Sequence, residues 1–148
     1  IKKNKSIDET LIAIKQHQPL LSAFGIASDL NFHYQNTKAK TNASFIPKLD
    51  SMIPIFKQTP ETPLTFINCE ISIDNAITYL FNKVLEEMEL RQHYAFQITI
   101  FDSGQNNSGK EFQNALSKYY SNTLIKHVKM NDINKMIYGP KALLVSII

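Results

Sequence analysis

The chain has 148 residues, of which 43% are hydrophobic and 20% are charged, and its formal net charge is +3. This composition excludes a disordered protein, and the length fits one compact domain or a small piece packed on a larger unit. No apolar run approaches the roughly 18–20 residues of a membrane-spanning helix, so we expect no membrane segment. The single cysteine, Cys69, cannot form an internal disulfide, which favours a reducing, cytoplasmic location.

The N-terminal residues predict two short helices. Ser6 is followed three residues later by Glu9, the spacing of a capping box, so we expect a helix over 7–17. Pro19 cannot continue that helix but suits the first turn of a new one. Four apolar residues follow it within five positions, and Gly25 then marks the predicted end of the second helix.

The next segment predicts little regular structure. A short strand is expected over 31–34 and a polar, lysine-rich loop over 35–44. Four prolines between positions 45 and 63 exclude long helices and leave only edge-type extended pieces such as 53–56. We place a domain boundary near 59–62.

Beyond this boundary the predicted strands and helices alternate. Apolar residues recur at helical spacing from Ile73 to Met88 and predict the longest helix. In chain order, strands are predicted over 64–69, 95–101, 124–130 and 142–148, and helices over 73–91, 110–120 and 133–138. The expected fold is therefore α/β, with a Rossmann-like, mostly parallel sheet over 61–148, preceded by a helical and irregular, proline-rich segment over 1–60.

A possible phosphate-binding loop lies between a predicted strand and a predicted helix. Gly104, Gly109 and Lys110 fit the pattern G-x4-G-K, in which backbone amides surround phosphates and the lysine reaches the terminal ones. Glu111 occupies the position where Ser or Thr should bind Mg²⁺. A polar loop with glycines at its turns explains the same residues, so the three are candidate cofactor-binding residues only.

Acidic residues also follow successive predicted strands: Glu70 and Asp74, then Asp102, then Asp132. This layout, over about 64–138, resembles the Toprim domain of primases, topoisomerases and some plasmid-mobilisation proteins. That family has a strand ending in Glu, an Asp four residues on, a strand ending in Asp-x-Asp-x-x-Gly, and a later acid. The resemblance implies Mg²⁺-dependent phosphodiester chemistry, with Glu70 and Asp102 catalytic, and Asp102 and Asp132 at the metal.

The sequence departs from the Toprim pattern at three positions. Ile71 replaces the glycine directly after the glutamate, Gly104 replaces the second aspartate, and Gly109 comes two residues late. A site that lacks one carboxylate should hold Mg²⁺ poorly.

Two functions remain open from the sequence. The first is a non-catalytic or vestigial α/β module of a larger protein that handles nucleic acid or assembles with partner chains. The alternative is a Mg²⁺-dependent Toprim-type enzyme, and only this alternative calls for a cofactor. The chain begins at Ile1 rather than Met and ends within an apolar run, as expected of a piece of a longer protein. Between Lys110 and Lys141, six lysines against two acids suit a polyanion-facing surface or simply a solvated one.

Overall fold

The computed structural model describes residues 6–27, 52–62, 64–91, 97–104 and 107–148. The predicted strand over 31–34 and the predicted loop over 35–44 lie outside these ranges. The helices in the described ranges are α1 (Ile7–His17), α2 (Ile73–Leu90), α3 (Ser108–Tyr119) and α4 (Asp132–Tyr138). The strands are β1 (Ser22–Ile26), β2 (Ile53–Gln58), β3 (Thr65–Glu70), β4 (Gln97–Asp102), β5 (Leu124–Lys129) and β6 (Leu143–Ile147).

All six strands form one sheet in the order β3-β2-β1-β6-β4-β5. The predicted α/β class is therefore confirmed. Among hydrogen-bonded neighbours only β4 and β5 are parallel, and the other pairs are antiparallel. Three of the predicted C-terminal strands, β3, β4 and β5, do share one direction, but β6 runs the opposite way.

The reversed direction of β6 goes with a short helix in its connection. The helix that joins it to β5 has 7 residues, which span about 10 Å. This is about half the length of the six-residue strand β5, which is about 20 Å long. The strand β6 enters from the end at which β5 finishes and pairs antiparallel with β4.

The described N-terminal ranges, 6–27 and 52–62, are more regular than the sequence predicts. The helix α1 has the predicted capping box, in which the Glu9 amide donates to Ser6 Oγ at 3.2 Å. The second predicted helix is wrong, because Gln18–Leu20 is a single 3-10 turn and the following residues form β1. Pairing on both sides, with β2 and β6, outweighs the local preference for a helix.

The strand β2 is also more central than its prolines suggested. It pairs with β1 on one side and β3 on the other, so the predicted edge piece at 53–56 lies inside the sheet. Pro54 lacks a backbone N–H, and its carbonyl oxygen accepts from the Ala27 amide at 3.2 Å. The predicted boundary at 59–62 falls between β2 and β3, which are hydrogen-bonded neighbours in the same sheet.

The two long helices pack on one face of the sheet. The buried residues of α2 are Ala76, Leu80, Val84 and Met88, at the predicted helical spacing. Phe81 of α2 contacts Phe112 of α3 edge to face, with ring centroids 5.3 Å apart, so the helices lie side by side. Among the described residues, no helix is both long enough and apolar enough to span a membrane.

Candidate functional site

A small cavity, which we call the strand-end cavity, lies beyond the end of β4, beside the first turns of α2 and α3. Its volume is about 20 Å³. In α/β folds this edge of the sheet is the usual place for ligands. The lining combines apolar and polar residues, and consists of Ile26, Ile73, Ile77, Asp102, Ser103, Gly104, Ser108, Lys141, Ala142 and Leu143.

Asp102 is the most deeply buried polar group in this lining, with 5% of its surface exposed. Its Oδ2 atom is paired with Nε2 of His127, which lies on the neighbouring strand β5. Its backbone carbonyl accepts from the Met130 amide at 2.6 Å. Its Oδ1 atom is buried and has no hydrogen-bond partner among the residues that the structure describes. A buried carboxylate oxygen without a donor is costly, so this oxygen is a candidate contact for a ligand.

Gly109, in the first turn of α3, packs directly on this pair. A Cβ at Gly109 would lie 2.7 Å from His127 Nε2 and would overlap Asp102 Oδ2. The glycine is therefore required by close packing of the helix on the strand. This role differs from the phosphate-binding role that the G-x4-G-K pattern predicts for it.

The other candidate residues are not gathered here. The strand β3, which carries Glu70 at its end, is four strand spacings from β4 in the sheet, roughly 19 Å. Glu70 accepts instead from the Asn68 amide group at 2.8 Å. Asp132 begins α4 with its side chain 95% exposed and pairs with Lys135. Across the described ranges, no three acidic, His or Cys side chains are grouped to hold a metal ion.

The predicted loop residues divide between the cavity and the surface. Gly104 lines the strand-end cavity and has a positive φ of 81°, a conformation that favours glycine. Lys110 and Glu111 are exposed on α3. His127 was missed by the sequence analysis. The alternation of side chains between the two faces of β5 could have identified His127. Ile125 and His127 share one face of this strand, and they pair with the buried Ile98 and Ile100 of β4.

A wider depression, which we call the α2 groove, lies between α2 and the strands at the β3 edge. Its volume is about 270 Å³, and its lining consists of Phe24, Lys57, Ile67, Tyr79, Lys83, Glu86, Glu87 and Leu90. The charged groups here are paired with one another, Lys57 with Glu87 at 2.9 Å and Lys83 with Glu86 at 2.6 Å. An anionic head group would have to displace one of these carboxylates.

Glu87 is the central charge of the α2 groove. Burial opposes its ionisation, but hydrogen bonds from Lys57 and Arg91, together with their positive charges, outweigh it and lower the pKa of the Glu87 carboxyl. The Arg91 guanidinium also donates to Ser22 Oγ at 2.9 Å, and so joins α2 to β1. This network holds the helix on the sheet.

The arrangement of strands and helices matches that of known proteins. A fatty acid binding DegV family protein from Streptococcus agalactiae superposes with a TM-score of 0.79 at 18% identity, over 96% of this chain and 49% of that one. The chain has the fold found in half of a DegV-family structure. A stearic-acid-binding protein from Eubacterium ventriosum gives 0.83 at 10% identity, over 99% of this chain and 50% of that one.

The fatty acid kinase B3 protein of Streptococcus pneumoniae, loaded with linoleic acid, gives a TM-score of 0.78 at 11% identity, over 97% of this chain and 50% of that one. The chain thus spans about half the length of these DegV-type structures. No protein-family model matches the sequence, and no curated protein sequence matches it either.

These DegV-type neighbours correct the Toprim resemblance, which is wrong. The physical reason is the strand order, which places the acids after β3 and β4 far apart instead of on adjacent strands. The prediction of a module that handles nucleic acid, and the alternative of a Toprim-type enzyme, are wrong with it. Solved proteins with the DegV-type fold are described as binding fatty acids.

Proposed function

We propose that this chain is one half of a fatty-acid-binding protein. The observation that carries the proposal is the likeness of almost the whole chain to half of several proteins described as binding fatty acids. A shared fold does not by itself assign a function, so the proposal also needs a site of suitable chemistry. The single thiol, Cys69, is compatible with a cytoplasmic location, which is part of the proposal.

The strand-end cavity has the mixed apolar and polar lining that an amphiphile requires. Ile73, Ile77 and Leu143 provide apolar surface, and Ser103 and Ser108 provide hydroxyl groups. At about 20 Å³ the cavity has room for a head group but is far smaller than the roughly 300 Å³ or more of a complete ligand pocket. The acyl chain must therefore lie largely outside it, against surface that the other half of the protein would supply.

Fatty-acid binding can be tested with the full-length protein, both halves together, by displacement of a fluorescent fatty acid with stearic and linoleic acids. We expect saturable displacement, and we expect Ile77→Gln to weaken it about tenfold, because an amide would be desolvated without a partner. Thr78→Gln is the matched control, since Thr78 is exposed on the same helix. A folded full-length protein, with both halves present, that takes up no fatty acid would overturn the proposal.

An equal loss of binding in both variants, or no loss in either, would reject the strand-end cavity as the site. In that case Ile67→Gln, in the α2 groove, would show whether the acyl chain lies there instead.

A further inference from the structure

The orientation of the Asp102 carboxylate shows what the strand-end cavity can recognise. Its Oδ2 atom faces His127 and Gly109, neither of which lines the cavity. Its Oδ1 atom lies 3.9 Å from the position that a Cβ on Gly104 would take, and Gly104 does line the cavity. The unpartnered oxygen thus lies toward Gly104, and Asp102 and Gly104 both line the cavity.

The volume of the cavity sets the size of the group that can reach this oxygen. A volume of about 20 Å³ accommodates a water molecule or a head group of similar size, since a water needs about 10–15 Å³. An acceptor of hydrogen bonds alone would leave Oδ1 unsatisfied, and an ionised carboxylate would also be repelled by it. The oxygen requires a donor.

The charges around Asp102 disfavour a metal ion as the partner of Oδ1. From the neighbouring elements, His127 contacts the carboxylate, Lys141 lines the same cavity, and Lys129 passes within 3.9 Å of the Gly104 Cβ position. The nearest residues of α2 and α3 in the lining, Ile73, Ile77 and Ser108, carry no charge. A neutral hydrogen-bond donor fits these surrounding charges better than a metal cation does.

We propose that the strand-end cavity binds the head group of a long-chain amphiphile as a hydrogen-bond donor to Asp102 Oδ1. The ligand class is a long-chain alcohol or a fatty acid held in its protonated form, and the inference rests on the proposed function. Two carboxyl groups in contact hold one proton between them, because both cannot be ionised side by side. The carbonyl oxygen of the acid then accepts from the hydroxyl group of Ser108, which also lines the cavity.

The test compares myristic acid, myristyl alcohol and methyl myristate, which share one acyl length, by displacement from the full chain. The ester cannot donate a hydrogen bond, so we expect it to bind about tenfold more weakly than the alcohol. Affinity for the acid should fall from mildly acidic to mildly alkaline pH, whereas affinity for the alcohol should not change over that range.

Asp102→Asn supplies the reciprocal test. Its amide can donate to the ligand, so the ester and the ionised acid should gain affinity relative to the alcohol. Circular dichroism and the urea midpoint check that the variant folds, and the wild-type ligand series decides the question if it does not.

The outcomes separate the two proposals. If none of the three ligands binds, the proposed function fails. If all three bind the wild-type chain equally at every pH, the function stands but the donor inference is overturned, and the cavity holds only water.

Discussion

Gly25 and Phe56 are cross-strand neighbours on β1 and β2, and they leave no space for a side chain between them. A Cβ on Gly25 would lie 2.5 Å from Phe56 Cζ and would also overlap Leu144 on the other side. The glycine lets two large apolar side chains from flanking strands meet over the middle strand. Gly25 is thus a packing residue of the sheet and not the end of a helix.

Gly25→Ala should therefore destabilise the protein, by about 1–3 kcal/mol, because the added methyl group overpacks the sheet. The urea midpoint measures this loss. Ser117→Ala on the exposed side of α3 serves as a control that should change stability little. A Gly25→Ala variant as stable as the control would contradict the close packing.

Gly109→Ala provides a second test of close packing. In an exposed helix interior this change stabilises by about 1 kcal/mol. Here it should destabilise, because the methyl group would force apart Asp102 and His127. Asn114→Ala, at an exposed position of α3, should show the ordinary stabilising direction. We expect the two alanine substitutions to change the free energy of unfolding in opposite directions, as measured by urea unfolding. A change in the same direction for both would rule out the contact.

Leu80→Ala should cost about 2–5 kcal/mol, because the side chain is fully buried beneath α2 and its loss leaves a cavity. Lys83→Ala, three residues on, should change stability little, since its ion pair with Glu86 lies at the surface and is screened by solvent. Urea midpoints that moved equally for both variants would show that the buried face of α2 is wrongly assigned.

The ion pairs that Lys57 and Arg91 form with Glu87 should make the free energy of unfolding depend on pH. The folded-state pKa of Glu87 is lowered, so its stabilising contribution is present above the unfolded-state pKa and is lost as the pH falls through the folded one. Glu87→Gln should therefore be less stable than wild type at neutral pH, with a difference that shrinks in acid. Glu86→Gln is the control, because its carboxylate is more exposed. A difference that is constant with pH would exclude this role.

Local patterns predicted the elements that local interactions determine. The capping box at Ser6 and Glu9 predicted α1, and the apolar spacing through Leu80 predicted α2 to within a residue. The strand β1 was missed, because its place between β2 and β6 depends on residues far along the chain. Pro19, shortly before β1, also favoured the prediction of a helix at this place.

The site could be predicted only in part, for a related reason. Asp102 was identified at a strand end, and it does lie at the strand-end cavity. Grouping it with Glu70 required the strands β3 and β4 to be neighbours. Three other strands lie between them, and nothing in the spacing of residues along the chain encodes that insertion. Alternation along β5 places His127 on the same face as Ile125, but its contact with Asp102 follows only from the pairing of β5 with β4.

The central position of β6 has a consequence for biosynthesis. This strand, Leu143–Ile147, is the last element described along the chain, yet it pairs with β1 on one side and β4 on the other. While translation proceeds, the two groups of strands that it joins each present an unpaired edge. Such edges are prone to wrong association, so this part of the nascent chain stays exposed to aggregation until β6 leaves the ribosome.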